Sequence, residues 1–430
     1  MLAAPMATSL AVLDMAQAGR FAEIRDLFAP QVRAMVTAGA LEAAWAAEIG
    51  RCGEVRSVGT PLSEPAGPGA VLVKVPVACA HADLTMLVSV LEAGGLIGLQ
   101  LAPASAAQLT VPWQPPGYVD QDTFDEQDVT VGAGPLAVPG TLSIPHEPGP
   151  LPAVVLLGGS GPGDRDGTVG RNKLLKDVAW GLASRGVAVA RFDKVTHAHP
   201  REVVQDHGFT VAQEYLPHAV AAIGLLRERP AVDPGRVFLL GHSLGGTVAP
   251  RVAAAEPSVA GLVILAGGAQ PLHWSAVRQL RYLASLDPAV AAASQPAIDA
   301  VTEQARLVDS PGLSPQTPAA DLPFGVPAPY WLDLRGYQPV AAAAALGKPM
   351  LILQGGRDYQ VTVPDDLALW QAGLAGRPDV TIRVYDLDNH FFFSGTGPST
   401  AAESEPAQHV DAVVVRDIAG WLTTAREGDR

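Results

Sequence analysis

From residue 128 onward the chain keeps to one grammar, in which short apolar runs are separated by amphipathic stretches of helical length. The runs are AVVLL (153–157), VAVARF (187–192), RVFLL (236–240), VAGLVILAG (259–267), PMLILQG (349–355) and VTIRVYD (380–386). A strand with one wet face alternates apolar and polar residues, whereas a strand covered on both faces reads as a nearly continuous apolar run. Between the runs, KLLKDVAWGLASRG, AQEYLPHAVAAIGLLRER, the stretch from 244 and a last one over about 408–424 carry apolar residues at helical spacing. VTV and LAVPGTLSIP precede them as a leading hairpin. The pattern predicts an α/β fold, a mostly parallel sheet with helices on both faces. Ligands of such sheets sit beyond the carboxyl ends of the strands, so functional residues are sought there.

The first quarter follows other rules. LAVLDMAQ, FAEIRDLF and ALEAAWAAEI repeat apolar residues every three or four positions. After Gly53, VRSVGT, AVLVKVPVACA, ADLTMLVSVLE and GLIGLQLAP suit a four-stranded antiparallel sheet. We expect a small α+β domain over 1–108, a proline-rich and acidic linker over 109–127, and the α/β domain over 128–430. The interval of about 268–346 is too long for an ordinary loop. Its amphipathic HWSAVRQLRYLASL and AIDAVTEQARLV leave the sheet after a strand's carboxyl end, which predicts a helical cap.

The run VFLL enters Gly241-His242-Ser243-Leu244-Gly245. A turn that holds one side chain proud of a strand's end strains that residue's backbone and crowds its neighbours, and glycine two positions away on each side relieves the crowding. Ser243 would then head the next helix, where backbone N–H groups favour developing negative charge. A serine hydroxyl is a weak nucleophile at neutral pH, so the hypothesis requires a base and an orienting acid downstream. Asp358, in LILQGGRDYQV, and His390, in VYDLDNHFFF, arrive in the order serine, acid, histidine, each after an apolar strand. Asp386 and Asp388 compete for the acid's role, but they stand very near His390 in sequence. Donors for an oxyanion are expected from the amide of Leu244 and from GGSGPGDRDG (158–167), at the amide of Ser160 or Gly159. Asp164, Arg165 and Asp166 are read as ion-pairing braces of that loop.

These segments bring a family into view. GSGPGDRDG, GHSLGG followed by APR, LQGGRDYQV and NHFFFSGTGPST make residues 128–424 resemble the α/β-hydrolase superfamily, in particular bacterial serine esterases that carry a small N-terminal domain. The N-terminal segment, with GRF at 19–21 and Trp45, is similar to the cystatin-like or NTF2-like domain of such esterases. The resemblance implies the triad Ser243, Asp358 and His390, cleavage of a small carboxylic ester through an acyl-enzyme, and no cofactor. Such relatives usually place histidine before GSG; Gly158 stands there in this chain, which predicts a looser oxyanion loop. Two other outcomes of the scaffold remain open: acyl transfer or elimination with the same triad, and ligand binding without turnover.

Trp274, Tyr282, Tyr330 and Trp331 in the insertion are candidates to line an acyl pocket. His197 and His199 in THAHP lack an accompanying cysteine or acidic cluster, so a loop near the site mouth is expected rather than a metal site. His81 and Asp83 read as a surface turn, and Cys52 and Cys79 as free buried thiols. A formal charge of −14 argues against nucleic acid or an anionic membrane as partner. MLAAPMATSLAVLDMAQAGR lacks a basic leader region, and cytoplasmic residence is expected. A homodimer is left open.

Overall fold

The structure, a computed structural model, describes residues 3–33, 36–66, 69–91, 94–104, 113–286 and 288–424. The chain divides into two compact units, residues 1–112 and 113–430.

In the first unit, helices that include Ala3–Gln17, Phe21–Leu27 and Ala38–Cys52 precede an antiparallel sheet. Among the described residues the sheet has five strands rather than the four read from the sequence. The extra strand, Leu62–Pro65, pairs with Ala70–Cys79. Its LSEP carries little apolar signal because none of its residues is buried. Val73, Val75, Val77, Met86 and Val88 form the core with Val12, Leu13 and Ile24. Cys52 and Cys79 are free and buried, and His81 is exposed in a bend.

Among the described residues, the main sheet of the second unit has eight strands: β1 (Phe124–Val131), β2 (Val138–Pro145), β3 (Leu151–Leu157), β4 (Ala188–Phe192), β5 (Val232–His242), β6 (Leu262–Leu265), β7 (Met350–Gly355) and β8 (Val380–Tyr385). Their order across the sheet is β8-β7-β6-β5-β3-β4-β2-β1. Strands β3 to β8 run parallel to their neighbours, and the β1–β2 hairpin joins antiparallel at β4. The interval expected as a linker therefore extends too far. β1 begins at Phe124, and Trp113 of this unit donates from Nε1 to Asp177 at 2.9 Å. Proline and acid made this stretch look open, yet its aromatics pack: the rings of Trp113 and Trp180 lie 5.1 Å apart. Residues 109–112 lie outside the described residues.

Burial on both faces explains the continuous apolar runs. Val155, Leu157, Leu239, Ile264 and Ile352 point into one core layer with α2 (Val211–Arg227) and α3 (Leu244–Ala255). Val154, Leu156, Leu240, Val263 and Leu351 point into the other with α1 (Leu174–Ala183) and α8 (Ala412–Thr424). The last helix thus starts four residues later than expected. Each such buried aliphatic side chain contributes about 1.5–3 kcal/mol relative to exposure. The result is a stiff platform whose carboxyl edge presents loops.

Between β6 and β7 lie α4 (Leu272–Ser285), α5 (Pro288–Asp309), α6 (Ala328–Arg335) and α7 (Pro339–Ala345). Val308, Leu313, Leu322, Ala328 and Trp331 give this insertion an apolar cluster of its own. No helix among the described residues is long and apolar enough to cross a membrane.

Candidate active site

Ser243 sits between the end of β5 and the first residue of α3, at φ 54° and ψ −122°. A non-glycine residue in that region stores strain of about 1–3 kcal/mol, which the surrounding structure must hold. The glycines around it are sterically required. A Cβ on Gly241 would stand 2.2 Å from the carbonyl oxygen of Gly245, and one on Gly245 would stand 2.5 Å from those of Leu157 and Gly158. The turn is thus wedged against the end of β3. A Cβ on Gly159 would lie 3.2 Å from Cβ of Ser243, which puts the glycine-rich loop beside the serine.

Asp358 follows β7, and His390 follows β8. His390 Nδ1 is 2.7 Å from Asp358 Oδ2, and both residues are buried. An acceptor on Nδ1 requires the proton there, which leaves Nε2 as the basic nitrogen. Asp358 also accepts from the amides of Gln360 and Val361 at 2.7 and 2.9 Å, and from Gln354 Nε2 at 3.0 Å, so both oxygens are fixed in place. Asp386 is exposed, and Asp388 accepts from Ser394 at 2.6 Å; neither of these acids holds the imidazole. Burial pushes the Asp388 carboxyl up.

The histidine loop crosses directly over β7. A Cβ on Gly355 would stand 2.4 Å from the carbonyl oxygen of Asn389, which accounts for the glycine pair before Arg357. Asn389 accepts from the amides of Phe391 and Phe393, and it donates to Glu403, which also pairs with Arg357. The two loops that carry Asp358 and His390 are therefore tied together.

His242 links the elbow to the same loop. Its Nε2 donates to the carbonyl oxygen of His390 at 2.9 Å, and the two rings lie 4.8 Å apart. Burial, and then the charge on His390, pushes its pKa down to about 3, so the ring is neutral. Nothing in GHSLG distinguishes this role from that of a filler residue.

The loop 158–167 is held from below. Lys194 Nζ donates to the carbonyls of Gly159 and Gly161 at 2.7 and 2.8 Å, and it pairs with Glu214 at 2.9 Å. The Tyr215 hydroxyl reaches the carbonyls of Gly158 and Gly159 at 3.0 and 2.8 Å. The looseness expected from Gly158 is not what the structure shows. A Cβ there would meet its nearest atoms at 3.7 Å, so the loop's order comes from beneath rather than from residue 158. Arg165 donates to the Gly140 carbonyl at 2.8 Å, Asp164 accepts from Thr168, and Asp166 pairs with Lys173 and Arg191. Among the described residues, the amides of Gly159, Ser160 and Leu244 donate to no acceptor in the chain.

Sequence reasoning missed Lys194, Glu214 and Tyr215. The available signal was RFDK, a lysine two residues past the end of a strand whose residues are all buried.

The aromatic candidates separate. Tyr282 stacks on Tyr359 with centroids 5.1 Å apart and donates to the Ser399 carbonyl, which places α4 against the loops that follow β7 and β8. Trp274 donates to Asp309. Trp331 is buried within the insertion's cluster, and Tyr330 is buried with its hydroxyl 2.5 Å from Glu214. His199 is committed to the Ala137 carbonyl at 2.8 Å. A groove of about 720 Å³ beside α2, lined by residues such as Leu136, Phe209 and His218, includes none of the candidate site residues.

Against known proteins, the sequence signature described as the Alpha/beta hydrolase family matches residues 154–402. Esterase EstD of Thermotoga maritima is 39% identical over 341 residues, covering 79% of this chain and 76% of that protein. The 2,6-dihydropseudooxynicotine hydrolase of Paenarthrobacter nicotinovorans is 30% identical over 139 residues, 32% of this chain and 34% of that one. Among solved structures, Est1E from Butyrivibrio proteoclasticus aligns with 69% of this chain and 97% of its own at 15% identity and a TM-score of 0.44.

Proposed function

The chain belongs to the alpha/beta hydrolase family, and from that premise we propose that it is a serine esterase cleaving small carboxylic esters through an acyl-enzyme. The observation that carries this reading is the 2.7 Å bond between His390 and Asp358, on a histidine loop that His242 joins to the Ser243 turn. The name of the Thermotoga relative, an esterase, supports the substrate class.

In the proposed reaction, Ser243 Oγ attacks the ester carbonyl carbon while His390 Nε2 takes the hydroxyl proton. Asp358 keeps the ring in the required tautomer and stabilises the imidazolium. The carbonyl oxygen becomes an oxyanion and accepts from the amides of Leu244 and of Ser160 or Gly159, donors without a partner among the described residues. On collapse the alcohol leaves with the proton from His390, and Ser243 holds the acyl group. Water, deprotonated by His390, then attacks the acyl carbon, and the acid leaves as Oγ recovers its proton. The insertion between β6 and β7 serves as the cap, because Tyr282 and Arg278 fasten α4 to the loops of His390 and Asp358.

A p-nitrophenyl ester series graded by acyl length, run beside Ser243→Ala and with and without an added acceptor alcohol, tests the reading. Free acid as the main product, lost in the variant, supports it. Product formed only with the acceptor points to acyl transfer instead.

A further inference from the structure

In the reaction proposed above, the oxyanion donors are backbone amides, and an amide is aimed by whatever holds the carbonyl on the other side of its peptide plane. In a trans peptide the C=O and the following N–H point in opposite directions. The Gly159 carbonyl is held by Lys194 at 2.7 Å and by Tyr215 at 2.8 Å, so the Ser160 N–H must face the other way. The Gly158 carbonyl lies 3.0 Å from the same Tyr215 hydroxyl, which shares its one proton between the two carbonyls and so turns the Gly159 N–H the same way with a weaker hold. Lys194 is itself anchored. Its ammonium is buried and meets Glu214, whose other oxygen accepts from Tyr330 at 2.5 Å. Tyr330 belongs to α6 of the insertion.

We propose that Lys194 is a positioning residue that aims the oxyanion-binding amide of Ser160 by holding the carbonyl of Gly159, while its bond to the Gly161 carbonyl braces the loop ahead of Pro162, and that Tyr330, through Glu214, makes its placement depend on the insertion above. Glu214 is required because a buried ammonium needs a paired charge. The burial that pushes the Lys194 pKa down is opposed by this carboxylate. Burial and Glu214 hold both tyrosines well above their ordinary values, so each hydroxyl remains a donor. This inference rests on the esterase reading only for its kinetic consequences.

The test uses the full-length protein as Lys194→Met, Lys194→Met/Glu214→Gln and Tyr330→Phe, the double variant removing the carboxylate that the single one would orphan. Hydrogen exchange at the Arg165 amide, which donates to Asp193, and at the amide of residue 194, which donates to the Gly163 carbonyl, reports loop order whatever the reaction. We expect it to accelerate at least about tenfold in the double variant and less in Tyr330→Phe, as local opening frees these amides. For p-nitrophenyl ester hydrolysis we expect kcat to fall about 10- to 100-fold with KM within about twofold, as misplacing transition-state donors requires. The Ki of a trifluoromethyl ketone, which forms the tetrahedral oxyanion on serine, should rise by the same factor as kcat/KM falls. Unchanged exchange in both the double variant and Tyr330→Phe overturns the proposal, as does a kcat loss with the ketone's Ki unmoved. If exchange accelerates while Ser243→Ala keeps full turnover, the esterase reading fails and the loop brace stands.

Discussion

Asp358 Oδ2 lies 2.7 Å from His390 Nδ1, although 32 positions separate the residues in sequence and each side chain is nearly sealed from solvent. Asp358→Asn keeps the size but turns an N–H donor toward one of the carboxylate's present donors. The ring then loses the partner that selects its tautomer. We expect kcat to fall about 10⁴-fold with the fold retained, as for a triad acid made an amide. Steady-state kinetics beside near-UV circular dichroism decide it, and a loss under tenfold would assign Asp358 a merely structural role.

Gly245→Ala tests the elbow's steric logic. The added methyl would meet the Leu157 and Gly158 carbonyl oxygens at 2.5 Å, and backbone on both sides leaves little room to yield. We expect a stability loss of about 1–3 kcal/mol in urea titrations, together with loss of ester turnover. Gly224→Ala, on a helix where an added Cβ meets nothing within 4 Å, serves as the control. It should gain up to about 1 kcal/mol from helix propensity.

His242 makes stability depend on pH with a definite sign. Its folded pKa of about 3 lies below the ordinary 6.5, so in that window the unfolded chain binds a proton that the native one refuses. The contribution is fully present above pH 6.5 and is lost as pH falls toward about 3. The slope is about 1.4 kcal/mol per pH unit for one proton. Urea unfolding at several pH values between 4.5 and 6.5 should show that slope reduced by one proton in His242→Gln. Equal slopes in parent and variant would mean that the ring titrates normally.

Asp366 fastens the insertion to the loop after Asp358. Its side chain is fully buried and accepts from the amides of Ala269, Gln270 and Thr362 and, at 2.7 Å, from Arg278 Nη2. Asp366→Ala orphans all four donors, and we expect a loss of about 3–5 kcal/mol, typical of a broken buried pair. Arg278→Ala should loosen α4 alone, so that limited proteolysis cuts first within 268–346. Cleavage elsewhere first would deny Arg278 that anchoring role.

The parallel sheet was legible because burial on two faces writes itself as unbroken apolar runs, and the elbow because only glycine fits where backbones touch. The choice of Asp358 over Asp386 and Asp388 rested on those two standing very near His390 in sequence, and the contact with His390 supports it. Three things were harder to read. The strand Leu62–Pro65 carries no buried residue, so its pairing leaves no hydrophobic trace. The packing of Trp113 into the second unit is hidden in a proline-rich stretch that imitates a linker. The roles of Lys194 and His242 are hydrogen bonds to backbone carbonyls, and such bonds have no sequence period. Their partners lie 35 and 148 positions away in the chain.

The central claim, that Ser243 becomes acylated, is tested most directly by locating the covalent adduct. The protein is treated with a fluorophosphonate, and its intact mass and tryptic peptides are measured in parent and Ser243→Ala. The account predicts one adduct per chain, on the peptide containing Ser243, with none in the variant. An adduct that persists in Ser243→Ala, or that maps to another residue in the parent, would contradict it.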